Sequence, residues 1–447
     1  QVLQKPIIRP KGSPSSSSAS STTIAPVSSP GETISLPIEA RTASTLILDF
    51  FSGMDGLGHA FDHLGAKECF PSRSVTILFE VDKRCREILK HHRVRPGVIL
   101  SDYPDSSKTI GSAIAPLEDS DAFFTSLLRQ LPNLRLVVVC SGSPCVGFSR
   151  AKTNRQGVKD PELEKIWVLP VAVARLDLLC KSLFSETVSI AFICENADMS
   201  ETPDDLRNRS AITDTLKVGP IVIQASKRCA CDRNRSYWTN LVVGEFSPHQ
   251  VDVIQFLDPG WRPLWEYPSR TSQPDRRFST FLRPFKIGQP KEFPAIYRRL
   301  SLHSYTDRGL VYRPDASAED LTELSKIVKS GIRIKTDNIR QKGSSSQLAR
   351  AEVSDLIHLN GGDRFLRPLS GQERDRCLGF PAGASGLPSD SSISFYWDPL
   401  ESTGNAFAVP VISHIVGPIA SFMLGGSKII LRGSLPTTSD KQEALSL

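Results

Sequence analysis

Residues 136–149 read LVVVCSGSPCVGFS, and they set a cysteine, Cys145, directly after a proline, Pro144, just beyond an apolar run. A thiol on a rigid backbone there can act as a nucleophile if its thiolate is accessible; a buried, inert cysteine is the competing reading. A second candidate is Glu195-Asn196, which ends the apolar run Val188 to Cys194. The carboxylate suits proton transfer, while Asn196 also suits a helix cap. The third is Arg233-Asn234-Arg235, two guanidiniums at period two. In a strand they share one face and can clamp an anion or a carbonyl, or else line a solvated edge.

These groups need a scaffold. Leu136 to Val139 has the β-branched character of a core strand, and Ser141, Gly142, Ser143 and Pro144 break it. Loops at the carboxyl ends of strands are where open α/β sheets keep their chemistry. Thr45 to Phe51 is the first strand, followed by the glycine-rich Ser52-Gly53-Met54-Asp55-Gly56-Leu57-Gly58 and a helical pattern through Leu64. Strand, glycine turn and helix form the opening unit of a nucleotide-binding α/β domain, in which glycine lets the backbone approach a ligand at a helix N-terminus. A second strand, Val75 to Phe79, runs into Glu80-Val81-Asp82, where an acidic residue either meets ribose hydroxyls or starts the helix Lys83 to His92. A third strand, Val98 to Leu100, ends at Ser101-Asp102. Leu163 to Leu183 reads as a helix with a bend at Pro170, and Ile221 to Ala225 and Arg233 to Trp238 read as further strands.

The 447 residues leave room for two or three units, and the net charge of +6 is compatible with a polyanionic partner without demanding one. Nine cysteines are scattered without a CxxC pair, and Cys229 and Cys231 stand one residue apart. This argues against a disulfide framework or a zinc site and for reduced thiols in an intracellular compartment. His91-His92 reads as a solvated helix end, with no metal expected. Residues 405–424 carry no formal charge, but Pro410, Pro418, His414 and Asn405 favour a turn or strand and a buried helix over a membrane span.

Composition divides the chain. Residues 1–43 are rich in Ser, Thr and Pro and read as a disordered arm; 44–240 form the first part of an α/β domain. In 241–366 regular alternation fades, and prolines and aromatics mix with an excess of basic residues that makes up most of the net charge. That mixture suits a nucleic-acid surface, or else an ordinary loop-rich domain. Regular patterning returns over 367–425, and 426–447 reads as a loosely held polar tail.

In this order the pieces resemble the DNA cytosine-5 methyltransferase family. Asp49-Phe50-Phe51-Ser52-Gly53-Met54-Asp55-Gly56 is similar to its S-adenosylmethionine loop. Gly142-Ser143-Pro144-Cys145 resembles its Pro-Cys motif, Glu195-Asn196-Ala197 its Glu-Asn-Val motif, and Arg233-Asn234-Arg235 its Arg-x-Arg motif. Arg367-Pro368-Leu369-Ser370 with Glu373-Arg374, and Gly404-Asn405-Ala406-Phe407, resemble the last two. Val409 to His414 and Tyr237 to Asn240 look most like the eukaryotic de novo branch. Two departures stand out: Ala197 in place of valine, and Met54-Asp55 where many members carry small or apolar residues.

The resemblance implies a Rossmann-like class I methyltransferase fold with an inserted, irregular target-recognition domain at 241–366. It implies Cys145, held after Pro144, as the nucleophile, Glu195 as the group sharing a proton with the base, Arg235 and Arg233 as its carbonyl clamp, and Asn196 as a positioning group. It implies S-adenosyl-L-methionine as cofactor: Phe51 packed on it, Ser52, Gly53, Met54, Asp55 and Gly56 around its amino-acid part, Glu80 at the ribose, Asp102 at the adenine, Asn405, Ala406 and Phe407 closing the pocket, and Val81 as a further cofactor-binding residue. Double-stranded DNA is the implied partner, with no metal and no membrane, a nuclear location, and room for a homo- or hetero-oligomer with related methyltransferases. A transfer RNA methyltransferase, a catalytically silent regulator and a small-molecule oxidoreductase are the alternatives. The Cys-Phe-Thr signature of the first is not found, and the last leaves Cys145, Glu195 and the arginines unexplained.

Overall fold

The computed structural model describes residues 34–101, 118–144, 165–231, 233–249, 251–263, 310–329, 365–386, 406–426 and 428–437. Three strands, β1 (Thr45–Phe50), β2 (Ser74–Phe79) and β4 (Leu136–Ser141), are buried at every position. Continuous rather than alternating apolarity is what a parallel sheet covered on both faces requires. With β3 (Val98–Leu100), β5 (Ser189–Ala197), β6 (Ile221–Gln224) and β7 (Asn234–Thr239) they form one seven-stranded sheet in the order β3-β2-β1-β4-β5-β7-β6. β7 alone runs antiparallel, hydrogen-bonded to β5 on one side and β6 on the other. This strand order, with its single reversed strand, is the Rossmann-like methyltransferase arrangement that the resemblance implies.

Two apolar layers cover the sheet. On one face, Leu46, Leu48 and Phe50 of β1 meet Phe124 and Leu128 of α3 (Glu118–Arg129), Leu169 and Val173 of α4 (Val168–Leu183), and Ile212 of α5 (Pro203–Leu216). On the other, Ile47 meets Leu57 and Phe61 of α1 (Gly56–His63), Ile88 of α2 (Lys83–His92), and Ile412 and Val416 of a C-terminal helix (Val409–Met423). Each such buried side chain contributes roughly 1.5–3 kcal/mol. Helix starts are specified locally. Asp82 caps α2 through the amides of Arg84 and Cys85, and Thr202 with Asp205 forms a reciprocal capping box on α5.

Strand β1 lies between β2 and β4, so the chain leaves it toward one side and returns on the other. The carboxyl ends of β1 and β4 therefore flank the crevice where strand order reverses, the usual ligand position in such sheets.

A second, three-stranded antiparallel sheet comprises β8 (Arg262–Pro263), β9 (Leu310–Tyr312) and β10 (Leu366–Pro368). Two helices accompany it: α6 (Ala318–Lys329) follows β9, and α7 (Gly371–Leu378) follows β10 with Ser370 and Glu373 as a capping box. The C-terminal helix is α8 (Val409–Met423), and no helix among the described residues is long and apolar enough to cross a membrane.

Several boundaries differ from those read by composition. Residues 34–43 fall in the expected arm, yet Leu36, Ala40 and Ala43 are fully buried, and Gln130 fastens the segment by accepting from the Leu36 amide and donating to Ile34 O, both at 2.8 Å. In the expected polar tail, Leu431 bridges Leu241, and the Arg432 amide donates to Asn240 O at 2.7 Å. Leu241 itself packs in the core with α8, so the large α/β unit extends past 240. Arg367 and Pro368, placed with the returning domain, pair with β9 in the small sheet. The reason is the same throughout: short segments of mixed composition gain their order from partners far along the chain.

Candidate active site

The loop from β1 to α1 has an unusual backbone. Phe51 (φ 59°), Gly53 (φ 55°) and Asp55 (φ 57°) all occupy the left-handed region. For a residue with a Cβ this costs roughly 1–2 kcal/mol, so other contacts must hold the loop. In front, Glu80 does so: one carboxylate oxygen accepts from the Gly53 amide at 2.7 Å, and the other from the Val81 and Asp82 amides at 2.8 Å each. Burial pushes the Glu80 carboxyl up, against the pull of these amides. Beneath the loop the Ser52 hydroxyl donates to Asp49 O at 2.7 Å.

The expected cofactor residues thus divide. A Cβ on Gly53 would meet only Phe51 O, at 4.0 Å, and Glu80 remains half-buried with acceptor capacity left after three amides. Met54 and Asp55 turn their side chains inward; Met54 joins the core, and Asp55 caps α1. Only their backbone is available to a ligand. Val81 is exposed beside Glu80. Phe407 and Ala406 are buried, and the Phe407 side chain spans two loops. A Cβ on Gly56 would come within 2.9 Å of Phe407 Cβ, and one on Gly142 within 2.9 Å of its Cζ. Glycine at both positions is what lets the aromatic ring join the β1 loop to the exit of β4. Asp102, Cys145 and Asn405 lie outside the described residues.

At the β4 exit, Asn196 does the positioning. Its side-chain amide donates to Ser143 Oγ at 3.1 Å and Ser143 O at 3.4 Å, while its oxygen accepts from the Ala197 amide at 2.8 Å. Fully buried, it pins the residue before Pro144 to β5.

Glu195 sits beside it. In the β5–β7 register Glu195 faces Tyr237 and Ala197 faces Arg235, so Glu195 and Arg235 are diagonal neighbours on one face. Arg235 Nε lies 2.9 Å from Glu195 Oε1, and Arg233 Nη2 lies 3.8 Å away. All three side chains are at least nine-tenths buried. The Arg235 contact is one of charge rather than an aligned hydrogen bond: Oε1 accepts none from any described residue. A buried carboxylate oxygen with unused acceptor capacity, next to an excess of one positive charge, suits a ligand that presents an N–H or O–H beside a carbonyl.

Asp49, below the loop, is fully buried, and neither carboxylate oxygen has an N–H or O–H partner of normal geometry among the described residues; the Cys140 thiol is a weak donor. Burial, then the Asp55 charge, pushes its carboxyl well above the usual carboxylate range. An unfolded Asp titrates near 3.9. Between that pH and the raised folded value the native protein binds the extra proton, so stability from this group is lost as pH rises through the window. Asp49→Asn removes the titration: thermal melts at pH 5 and pH 8 are expected to show a smaller drop than wild type, with a gain of at least about 2 °C at pH 8. An unchanged pH dependence would contradict the assignment.

A groove of about 740 Å³ lies elsewhere, between His63 at the end of α1, the 247–249 segment, and Pro410, Ser413 and His414 of α8. None of the candidate residues lines it among those described.

Sequence reasoning missed two groups that shape the site: Ser143, the acceptor for Asn196, and Arg93, whose partners are Asp55 and Asp62. Ser143 stands in the Gly-Ser-Pro-Cys segment, where nothing marks it as the partner of Asn196, and Arg93 stands in no recognisable local pattern.

No protein-family model matches the sequence, and no curated protein matches it. Among solved structures, the crystal structure of the S. pombe Dnmt2 methyltransferase is similar, with a TM-score of 0.45 and 13% identity, over 85% of this chain and 99% of that one. A likeness of that size carries no argument about activity; the fold assignment rests on the strand order and the site on its own geometry.

Proposed function

We propose that this chain transfers a methyl group from S-adenosyl-L-methionine to carbon 5 of cytosine in double-stranded DNA. The observation that carries this reading is Glu195: a buried carboxylate with an unfilled oxygen, flanked by Arg235 and Arg233, at the sheet edge that also bears the β1 loop and Pro144. The cofactor's residues fit. Gly53 leaves room for close approach, Glu80 can accept from a ribose hydroxyl, and Val81 offers an apolar surface beside it.

Carbon 5 of cytosine is a weak nucleophile. Addition of the Cys145 thiolate at carbon 6 forms a carbon–sulfur bond and moves a ring electron pair toward carbon 5, making an enamine. Cys145 follows Pro144 directly, and the Asn196–Ser143 bonds fix the chain just before it. Glu195 shares a proton at ring nitrogen 3 as density builds there. Arg235 and Arg233 hold the base carbonyl and stabilise the developing negative charge. When bound, S-adenosylmethionine would supply the electrophilic methyl carbon; carbon 5 would take it up as the methyl–sulfur bond breaks, and S-adenosylhomocysteine would leave. Loss of the carbon 5 proton to solvent returns its electron pair to the ring and expels the Cys145 thiolate, which leaves 5-methylcytosine.

A stacked cytosine hides both faces, so the base must be flipped into the crevice. Residues 241–366, with their basic and aromatic side chains, are proposed to grip the duplex opposite. A DNA substrate puts the working enzyme in the nucleus of a eukaryotic cell.

The test is covalent trapping on a duplex carrying 5-fluorocytosine, with the cofactor present. Fluorine does not leave as a proton does, so the enzyme is expected to stall joined to its substrate in a denaturation-resistant adduct. An adduct formed with transfer RNA and not with DNA would reassign the substrate. No adduct with either, despite cofactor binding, would mark a silent regulator.

A further inference from the structure

At the back of the β1–α1 loop stands an ionic network that the proposed reaction does not use. Asp55, the residue before α1, has one carboxylate oxygen on the Gly58 amide at 2.7 Å and the other on Arg93 Nε at 2.5 Å. Arg93 also donates through Nη1 to Asp62 on the last turn of α1 at 2.6 Å, and Arg95 donates to the second Asp62 oxygen at 2.8 Å. The Arg93 and Asp55 side chains are 4% and 1% exposed, so this is an interior pair rather than a surface one. The Arg93 amide caps the end of α2 on Leu89 O at 2.8 Å. One guanidinium therefore ties the end of α2 to both ends of α1.

Two features make this more than packing. Capping residues ordinarily adopt extended backbone, whereas Asp55 is left-handed, so capping alone does not account for its conformation. Gly58 is also bare: a Cβ there would collide with both the Asp55 carboxylate and the Arg93 guanidinium. Gly58, Asp55 and Arg93 interlock.

We propose that Arg93 is a positioning residue for cofactor binding, a lock that holds Asp55 in the left-handed conformation from behind while Glu80 holds Gly53 from in front. Its link to the cofactor rests on the methyltransferase reading; the lock itself does not. Arg93 touches no ligand and acts through Asp55.

The test compares R93A, D55G and the double variant by amide hydrogen exchange over residues 51–58 in the free protein, and by calorimetric binding of S-adenosylhomocysteine. R93A is expected to speed exchange in the loop at least about tenfold while β1 and β4 amides stay protected, and to weaken binding by a similar factor. Glycine adopts the left-handed conformation unaided, so adding D55G to R93A is expected to restore much of the loop protection. Losses that add in the double variant would reduce Arg93 to a general stabiliser and overturn the proposal. If R93A does not fold, R93K serves in its place, since a single ammonium lacks the fork that holds two carboxylates. A wild type that fails to bind S-adenosylhomocysteine would sink the functional reading, and the exchange comparison would still decide the lock.

Discussion

Replacing Cys145 by serine is expected to abolish methyl transfer, with a loss of at least about 10⁴-fold in turnover, and to leave cofactor affinity within about threefold of wild type. The asymmetry follows from where each group works. In the proposed reaction cysteine supplies a thiolate for carbon 6 of the base; a serine hydroxyl at neutral pH is neither ionised nor polarisable enough to replace it. The residues proposed for the cofactor lie in the β1–α1 loop and at Glu80, across the crevice from the exit of β4. Single-turnover transfer from labelled cofactor, with S-adenosylhomocysteine binding measured separately, checks both halves. Equal loss of both would place Cys145 in the cofactor pocket or in the fold.

The second large effect belongs to Glu195. Glu195→Gln keeps the shape and removes the proton-sharing carboxylate; turnover is expected to fall about 10²–10⁴-fold. Glu195→Ala goes further, because it leaves Arg235 and Arg233 buried without this counter-charge. Breaking a buried pair from one side costs about 3–5 kcal/mol, so the alanine variant is expected to be both inactive and clearly less stable in denaturant. The two variants separate chemistry from folding. Turnover of the glutamine variant within threefold of wild type would remove Glu195 from the mechanism, whatever the alanine variant does.

The two arginines illustrate why the register matters. Their period-two spacing puts them on one side of β7, but nothing in the spacing says whether that side faces water or a carboxylate. The antiparallel pairing of β7 with β5 decides it, by bringing Arg235 diagonally against Glu195. Asn196 is similar. Its sequence position fits a helix cap equally well; in the folded chain its amide is spent on Ser143, and it braces the segment that leads to the proposed nucleophile.

What the sequence by itself determined is local in origin. The continuous apolar runs at Thr45–Phe50 and Leu136–Ser141 specify doubly buried strands, because only a sheet covered on both faces can bury every residue of such a run. The glycine turn after β1, the carboxylate after β2 and the small residues after β4 mark the working edge for the same reason: chain direction and strand ends are written in consecutive residues. The tertiary structure alone decided the rest. Leu36 and Leu431 lie in segments whose composition reads as arm and tail, and each is fastened by a partner distant in sequence, Gln130 for the first segment and Leu241 for the second. Arg367 reads as the start of a returning domain and instead pairs with Val311. Asp55 reads as a cofactor residue and instead turns inward to Arg93, thirty-eight residues on. Composition and periodicity report what a segment can bury; they do not report which distant segment it will meet, since that is settled by strand register and by charges that need a partner once water is excluded.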